Sequence, residues 1–255
     1  MIDLPTVIGH RGAAAYAPEN TLASLACAAE MGCKWVEFDV HLTRDDVPVV
    51  IHDRNLKRTT GMDAMIDDIH SSQLTEIDAG SWLDPMWSGE RIPTLAQALD
   101  ACRVLGLMPN IEIKEEVSGR RAAARAVAET VRERWPADLP RPLVSSFSLR
   151  VLYHMRTLAA EIPLGLLMWQ KVPRFWTLHA RVLRCASIHV DRTLLSPSLV
   201  AKAKRHGRKL AVYVVNETPD ADGFLAQGVD SMFSDKPDLL SNQGAAESTL
   251  EAASV

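Results

Sequence analysis

Val7-Ile8-Gly9-His10-Arg11-Gly12, then Pro18-Glu19-Asn20-Thr21, is a short apolar run that delivers a His-Arg pair to a glycine. The chain then turns and starts a helix at Thr21. A strand that ends in polar residues and hands over to a helix is the repeating unit of an α/β barrel, whose active sites gather at one rim. Histidine moves protons near neutral pH. Arginine clamps phosphate or carboxylate through its planar fork.

Working outward, Trp35-Val36-Glu37-Phe38-Asp39-Val40 alternates, so Glu37 and Asp39 share one side of a strand. Two carboxylates on an otherwise apolar strand are costly unless a cation or positive partner faces them. Val47-Pro48-Val49-Val50-Ile51-His52-Asp53 reads as a further strand ending in a second histidine. Asn110-Ile111-Glu112-Ile113-Lys114 repeats the pattern, with Glu112 and Lys114 on one face. A lone histidine is usually a packing residue, and a lone Glu-x-Asp is usually a solvated strand face. Three strand ends of the same character favour a site.

The same alternation continues along the chain. Strand-like runs fall at 7–8, 36–40, 110–113, 143–147, 164–168, 188–191, 210–215 and 231–234. Between them, apolar residues at spacings of three and four predict helices over 21–31, 95–105, 120–135, 149–158, 175–184, 197–206 and 221–227. Gly32, Gly106, Gly207 and Gly228 stand where helix stops belong. Eight strands alternating with helices predict a closed parallel (β/α)8 TIM barrel filling residues 1–240. Residues 54–91 are too long for a simple strand–helix connection. With a possible helix at 71–77 and with Trp82, Pro85 and Trp87, they read as an insertion packed on the rim and covering the pocket. The tail, 241–255, is rich in Ala, Ser and Glu and is expected to be disordered.

Composition narrows the function classes. The 255 residues are 47% hydrophobic and 24% charged, with a formal net charge of −4, which fits one soluble domain and disfavours nucleic-acid binding. No apolar run is long enough to anchor the chain in a membrane. The start, Met1-Ile2-Asp3-Leu4-Pro5, lacks the pattern of a secretory signal. Cys27, Cys33, Cys102 and Cys185 show neither metal spacing nor a dense disulfide pattern. A cytoplasmic location is expected.

The motifs His10-Arg11-Gly12, Pro18-Glu19-Asn20-Thr21, Glu37-Phe38-Asp39-Val40, Leu42-Thr43-Arg44-Asp45, Val49-Val50-Ile51-His52-Asp53, Ile92-Pro93-Thr94-Leu95 and Ile111-Glu112-Ile113-Lys114 occur in order. Fainter ones follow at Ser145-Ser146-Phe147, Val214-Val215-Asn216, Gly228-Val229-Asp230 and Ser234-Asp235-Lys236-Pro237. Through this ordered set the chain resembles the glycerophosphodiester phosphodiesterase family, in its bacterial cytosolic form. It departs from the family pattern at Tyr213, where Trp is usual, at Asp46, where a turn glycine is common, and at Ser234, where Thr is usual.

The resemblance implies metal-dependent hydrolysis of deacylated phospholipid head groups to glycerol 3-phosphate and an alcohol. Glu37, Asp39 and Glu112 are the candidate metal ligands. An all-oxygen set favours a hard divalent cation, Mg²⁺ ahead of Ca²⁺, over Zn²⁺. The competing account is a carboxylate cluster balanced by Arg11 and Lys114 alone. Breaking a phosphodiester needs a base and an acid, and His10 and His52 are the natural pair. Arg11 and Lys114 would hold the phosphate. Phe147 and Tyr213, at the ends of the fourth and seventh barrel strands, would pack on glycerol carbons and offer a hydroxyl. His41 is a candidate supporting residue, and His189 reads as structural. The alcohol side of the substrate is expected to face 54–91. Two rivals remain at this point. One is a lysophospholipase D-type enzyme acting on lipids that keep one acyl chain. The other is a non-catalytic module that binds glycerol phosphates.

Overall fold

A computed structural model describes residues 2–114 and 119–241 of the chain. Residues 242–255, the bulk of the expected disordered tail, lie outside the described residues. The strands are β1 (Val7–Gly9), β2 (Trp35–Leu42), β3 (Pro48–Val50), β4 (Met108–Ile113), β5 (Leu143–Ser146), β6 (Leu164–Met168), β7 (Cys185–Asp191), β8 (Lys209–Tyr213) and β9 (Ser231–Ser234). Eight of them form a parallel ring in the order β1-β9-β8-β7-β6-β5-β4-β2, closed by pairing of β1 with β2. This is the (β/α)8 barrel that the alternation predicts.

β3 stands outside the ring. It runs antiparallel to the end of β2, with Val40 opposite Val50 and Leu42 opposite Pro48. His52 therefore reaches the rim on a hairpin arm, outside the eight runs that the alternation assigns to the ring. The cause is the reach of β2. β1 pairs with β2 only at Gly9 opposite Val36. Beyond that point the β2 edge would be left open, and a second arm of the same chain satisfies it.

The helices are α1 (Leu22–Glu30), α2 (Lys57–Thr60), α3 (Leu95–Leu105), α4 (Arg120–Arg134), α5 (Leu149–Leu158), α6 (Trp176–Val182), α7 (Pro197–Arg205), α8 (Thr218–Ala226) and α9 (Pro237–Ser241). Their ends follow local chemistry. Thr21 caps α1, and Thr94 with Gln97 forms a capping box on α3. Gly106 ends α3 at φ +69°, a conformation that glycine adopts without a Cβ penalty. α8 starts three residues before the expected Ala221 because Pro219, lacking an N–H, fits its first turn. The expected helix at 71–77 is a 3₁₀ turn over Ser71–Glu76. Among the described residues, no helix is long and apolar enough to cross a membrane.

The two faces of β2 explain why the barrel can hold charge. Val36, Phe38 and Val40 point out into the main core with Leu95, Leu99 and Cys102 of α3. Glu37 and Asp39 consequently point inward. The floor of the barrel is apolar, built from Ile8, Leu143, Ala211 and Phe233. His189 lies inside the ring, its Nε2 2.8 Å from Ser187 Oγ and its ring 5.0 Å from that of Phe233. Burial drives its pKa down to about 3, so it stays neutral. A Cβ on Gly165 would lie 2.9 Å from the His189 ring, so glycine makes room for it. His189 is a packing residue, as the sequence suggests.

Residues 54–91 form their own small core. Leu56, Ile66, Ile69, Leu74, Ile77 and Ala79 cluster with Val49 and Ile51 of the hairpin arm and with Ile92. Asp46, the residue in place of a turn glycine, adopts φ +60° and closes the hairpin through its N–H to Thr43 O at 3.0 Å. Asp tolerates this left-handed conformation better than most residues.

Candidate active site

His10 and Arg11 leave β1 in a tight turn. Arg11 has φ +50° and Gly12 φ +87°. A Cβ on Gly12 would meet Ser24 at 2.4–2.7 Å, so only glycine lets the turn close on α1. The turn aims the Arg11 backbone N–H at Glu37 Oε2, 3.1 Å away. The two histidines then receive the same frame from unrelated parts of the chain. His10 Nδ1–H donates to Asp235 Oδ1 at 2.7 Å, and His52 Nδ1–H donates to Asp53 Oδ1 at 2.6 Å. Each imidazole therefore keeps Nε2 for the pocket, and His10 Nε2 lies 3.9 Å from Glu37 Oε2. Both line a cavity of about 130 Å³ with Arg11, Glu37, Asp39, Glu112, Lys114, Phe147 and Tyr213. All nine residues singled out from the sequence meet there.

The carboxylates meet because Asp39 and Glu112 are register partners on adjacent strands, with Glu37 two residues below. One ligand oxygen from each lies within 4.8 Å of the others, and the three are only 3%, 1% and 7% exposed in the order Glu37, Asp39, Glu112. Two cations are set among them. Lys114 Nζ donates to Asp39 Oδ1 at 2.8 Å and to Glu112 Oε1 at 2.9 Å. Arg11 Nε is 3.4 Å from Asp39 Oδ2, and Arg11 Nη1 donates to Glu19 Oε1 at 2.8 Å. Asn20 Nδ2 donates to Asp39 Oδ2 at 2.9 Å.

These cations do not balance the cluster. Burial acts to raise Asp39, but Lys114 and Arg11 outweigh it and hold Asp39 below the usual carboxylate range. Burial, with the like charges of Asp39 and Glu112, pushes Glu37 well above that range. Burial raises Glu112 as well, against Lys114. Glu37 Oε1 is buried without a hydrogen-bond partner. A further cation among the three carboxylates would satisfy that oxygen and relieve the repulsion, so the donor set fits a hard divalent ion.

Several partners of these residues were not assigned roles from the sequence. Asp235 is held by Asn216, whose Nδ2 donates to Asp235 Oδ2 at 2.8 Å and whose Oδ1 accepts from Asp235 N at 2.9 Å. Ser234 Oγ donates to the same Asn216 Oδ1 at 3.2 Å, so this serine anchors the frame without a threonine methyl. Asp53 is held by Arg58 of α2, Nε to Oδ2, at 2.6 Å. Arg58 also forks onto Glu19 at 2.8 and 2.7 Å. The hairpin histidine is thereby tied to Arg11 through Asp53, Arg58 and Glu19. His41 takes the supporting place expected of it, its Nε2–H donating to His52 O at 3.0 Å. The aspartate directly after His52 was a readable signal. Asp235 was not, since it lies 225 residues from His10.

Two expectations need correction. The walls of the cavity carry no residue of 54–91. That segment folds onto its own core beside the rim, touching the site through Arg58 and through Thr59 and Ala79, which share a small cavity with His52. The Tyr213 hydroxyl is also committed, since it donates to Met168 O at 2.6 Å. The ring instead packs edge-on against Phe147, centroids 6.3 Å apart, and against Phe233, 6.5 Å apart. Tyr213 is thus an aromatic wall whose oxygen can only accept.

The chain is similar to known proteins over nearly its whole length. The family model described as Glycerophosphoryl diester phosphodiesterase family matches residues 10–239. A glycerophosphodiester phosphodiesterase of Caldanaerobacter subterraneus is 31% identical over 236 residues, which cover 92% of this chain and 96% of the relative. The structure of an Oleispira antarctica phosphodiesterase in complex with the product sn-glycerol-3-phosphate has a TM-score of 0.90 and 36% identity, covering 96% of this chain and 97% of that one. The glycerophosphodiester phosphodiesterase of Thermotoga maritima has a TM-score of 0.71 and 27% identity, covering 95% and 99%. With two carboxylate-held histidines and a buried acidic cluster at the rim of a closed barrel, this chain belongs to the glycerophosphoryl diester phosphodiesterase family.

Proposed function

We propose that this protein hydrolyses glycerophosphodiesters to glycerol 3-phosphate and a free alcohol, with residues 1–240 acting as one catalytic unit. The observation that carries the reading is the pair of histidines, each braced by a carboxylate on Nδ1, facing one cavity with three buried carboxylates. The brace sets the tautomer, so a neutral imidazole accepts a proton at Nε2 and an imidazolium donates one from it. Burial lowers the His52 pKa below its ordinary value, with Lys114 and Arg11 adding to the effect and Asp39 and Asp53 opposing it.

Glu37, Asp39 and Glu112 would hold the divalent ion, which when bound supplies Lewis-acid polarisation of a phosphate oxygen. We favour Mg²⁺ over Ca²⁺, because Mg²⁺ is usually held by few protein carboxylates together with water and substrate phosphate, whereas Ca²⁺ calls for more oxygen ligands. Lys114 has three N–H donors and the carboxylates take two, so the third is available to phosphate. Arg11 adds fixed positive charge beside it. In the first step, a glycerol hydroxyl next to the ester loses its proton to one histidine and attacks phosphorus. The leaving alkoxide takes a proton from the other histidine. Water then opens the cyclic phosphate with the proton roles reversed. Phe147 and Tyr213 wall the glycerol side. The four cysteines are free and three are buried, which suits a reducing cytoplasm.

The deciding assay measures glycerol 3-phosphate release from glycerophosphocholine, glycerophosphoethanolamine and glycerophosphoglycerol. It is set against hydrolysis of bis(p-nitrophenyl) phosphate, which lacks glycerol. Because the proposed first step uses a glycerol hydroxyl held next to phosphorus as nucleophile, the glycerol-free diester, which lacks it, should be slower by at least about 10⁴-fold in kcat/KM despite its better leaving group. The three alcohols should differ little. Comparable values with and without glycerol would replace this reading with a general phosphodiesterase.

Arg58 provides a second test. Burial acts to raise Asp53, but Arg58 and His52 hold it below the usual carboxylate range. Replacing Arg58 by Met removes positive charge near His52 and frees the Asp53 carboxylate from its competing cation. Both changes favour the imidazolium, so the His52 pKa, followed by NMR, should move up. With a charged hydrogen bond lost, kcat should fall about tenfold to a hundredfold. An unmoved His52 titration would remove Arg58 from the site.

A further inference from the structure

The segment that follows β6 differs from the rest of the chain. Trp169, Val172 and Phe175 are 61%, 37% and 56% exposed. On α6, Leu178 and Val182 are 44% and 66% exposed, while Trp176 and Ala180 face the core. Phe175, Leu178 and Val182 are spaced three and four apart, so they share one outward stripe. Basic residues are interleaved with them. Lys171, Arg174, Arg181 and Arg184 are all exposed. Among the described residues none of the four is paired with a carboxylate. Arg174 lies over the Phe175 ring at 5.3 Å. From Ile162 to Val190 there is no Asp or Glu, in a chain whose net charge is −4.

We propose that residues 169–184 form a docking surface for an anionic lipid bilayer. Exposed aromatic rings next to unpaired Lys and Arg match the two parts of such a surface, an apolar boundary under a negative head-group layer. The alkyl stems of Lys171 and Arg174 can lie along apolar tails while their charges stay among phosphates. A protein partner would have to cover the apolar stripe and bring several acidic groups, whereas one lipid surface supplies both. The insertion makes a useful contrast. There the cation beside the exposed Trp82 is Arg58, which Asp53 and Glu19 already bind, and Asp78 is paired with Arg91. Trp169 directly follows Met168, whose carbonyl holds the Tyr213 hydroxyl at the cavity wall. A bilayer that receives Trp169 therefore lies beside the cavity.

The test is flotation of the full chain with vesicles of phosphatidylcholine alone and of an equal mixture with phosphatidylglycerol. Binding should require phosphatidylglycerol and weaken with added salt. Lys171→Gln with Arg174→Gln should reduce it about thirtyfold. Trp169→Ser with Phe175→Ser should reduce it at least about tenfold. Unchanged thermal unfolding shows that both variants fold. Absence of binding, equal binding to neutral vesicles, or undiminished binding by either variant would overturn the proposal. So would a wild-type dimer that the aromatic double variant turns into monomer, since a second copy would then cover this face.

Discussion

His10→Ala and His52→Ala each lower kcat by about 10²–10⁴-fold, the usual contribution of a positioned acid or base. KM should change far less, because the proposed phosphate contacts, Arg11, Lys114 and an ion held by Glu37, Asp39 and Glu112, stay in place. The double variant loses little beyond the worse single one, since the two groups act on one proton-transfer sequence. The two single variants should separate on a glycerol phosphodiester with a nitrophenolate leaving group. That leaving group needs no proton, so the variant lacking the acid recovers most of its rate and the variant lacking the base does not. The comparison assigns the roles. Both variants should fold, since each histidine is partly exposed and its partner carboxylate stays near water. Near wild-type kcat in both single variants would exclude the pair from the chemistry.

If Glu37, Asp39 and Glu112 hold a divalent ion as proposed, chelation should abolish turnover and Glu37→Gln should reproduce most of the loss. A residue that only supports a metal ligand typically contributes 10–100-fold, so a ligand itself should contribute at least about a hundredfold. Thermal unfolding provides a readout separate from activity. An ion that binds only the folded chain adds about 2.7 kcal/mol at a hundred times its Kd. For a chain of this length that is about 5–10 °C in Tm. Glu37→Gln should lose most of this rise. Without ion its Tm should equal or exceed that of wild type, because the change removes a carboxylate that Asp39 and Glu112 already repel. The ion should bind less well as pH falls, because Glu37, held above the usual carboxylate range, takes up a proton first. Full turnover in excess chelator, or a Tm that ignores added Mg²⁺ and Ca²⁺, would restore the metal-free account of the cluster.

Much of this site is local enough to be read along the chain. Alternation through 35–40 puts Glu37 and Asp39 on one side of a strand whatever else the fold does, and apolar neighbours make that side an interior one. The repeat of strand and helix, with Gly32, Gly106, Gly207 and Gly228 as stops, specifies the barrel. In a barrel, residues at strand ends such as His10, Phe147 and Tyr213 must share a rim. These inferences need only the two-residue period of a strand, the 3.6-residue period of a helix and the conformational freedom of glycine.

The partners of those residues were decided elsewhere. Asp235 finds His10 because β9 closes the ring beside β1, a contact set by the register of the whole barrel. His52 comes in on a hairpin arm because β2 outruns its neighbour β1. Arg58 becomes a brace, and 54–91 stays beside the cavity, because that segment has enough apolar residues to build a core of its own. The Tyr213 hydroxyl turns to a carbonyl of the next strand but one, where a hydrogen bond is available at no cost in exposure. By itself the sequence determined the strands and helices of the barrel, the shared faces of Glu37 with Asp39 and of Glu112 with Lys114, and the rim residues, because these follow from short-range periodicity. Only the tertiary structure decided which side chain meets which, because hydrogen bonds and ion pairs form between strands whose neighbours are chosen by closure of the ring.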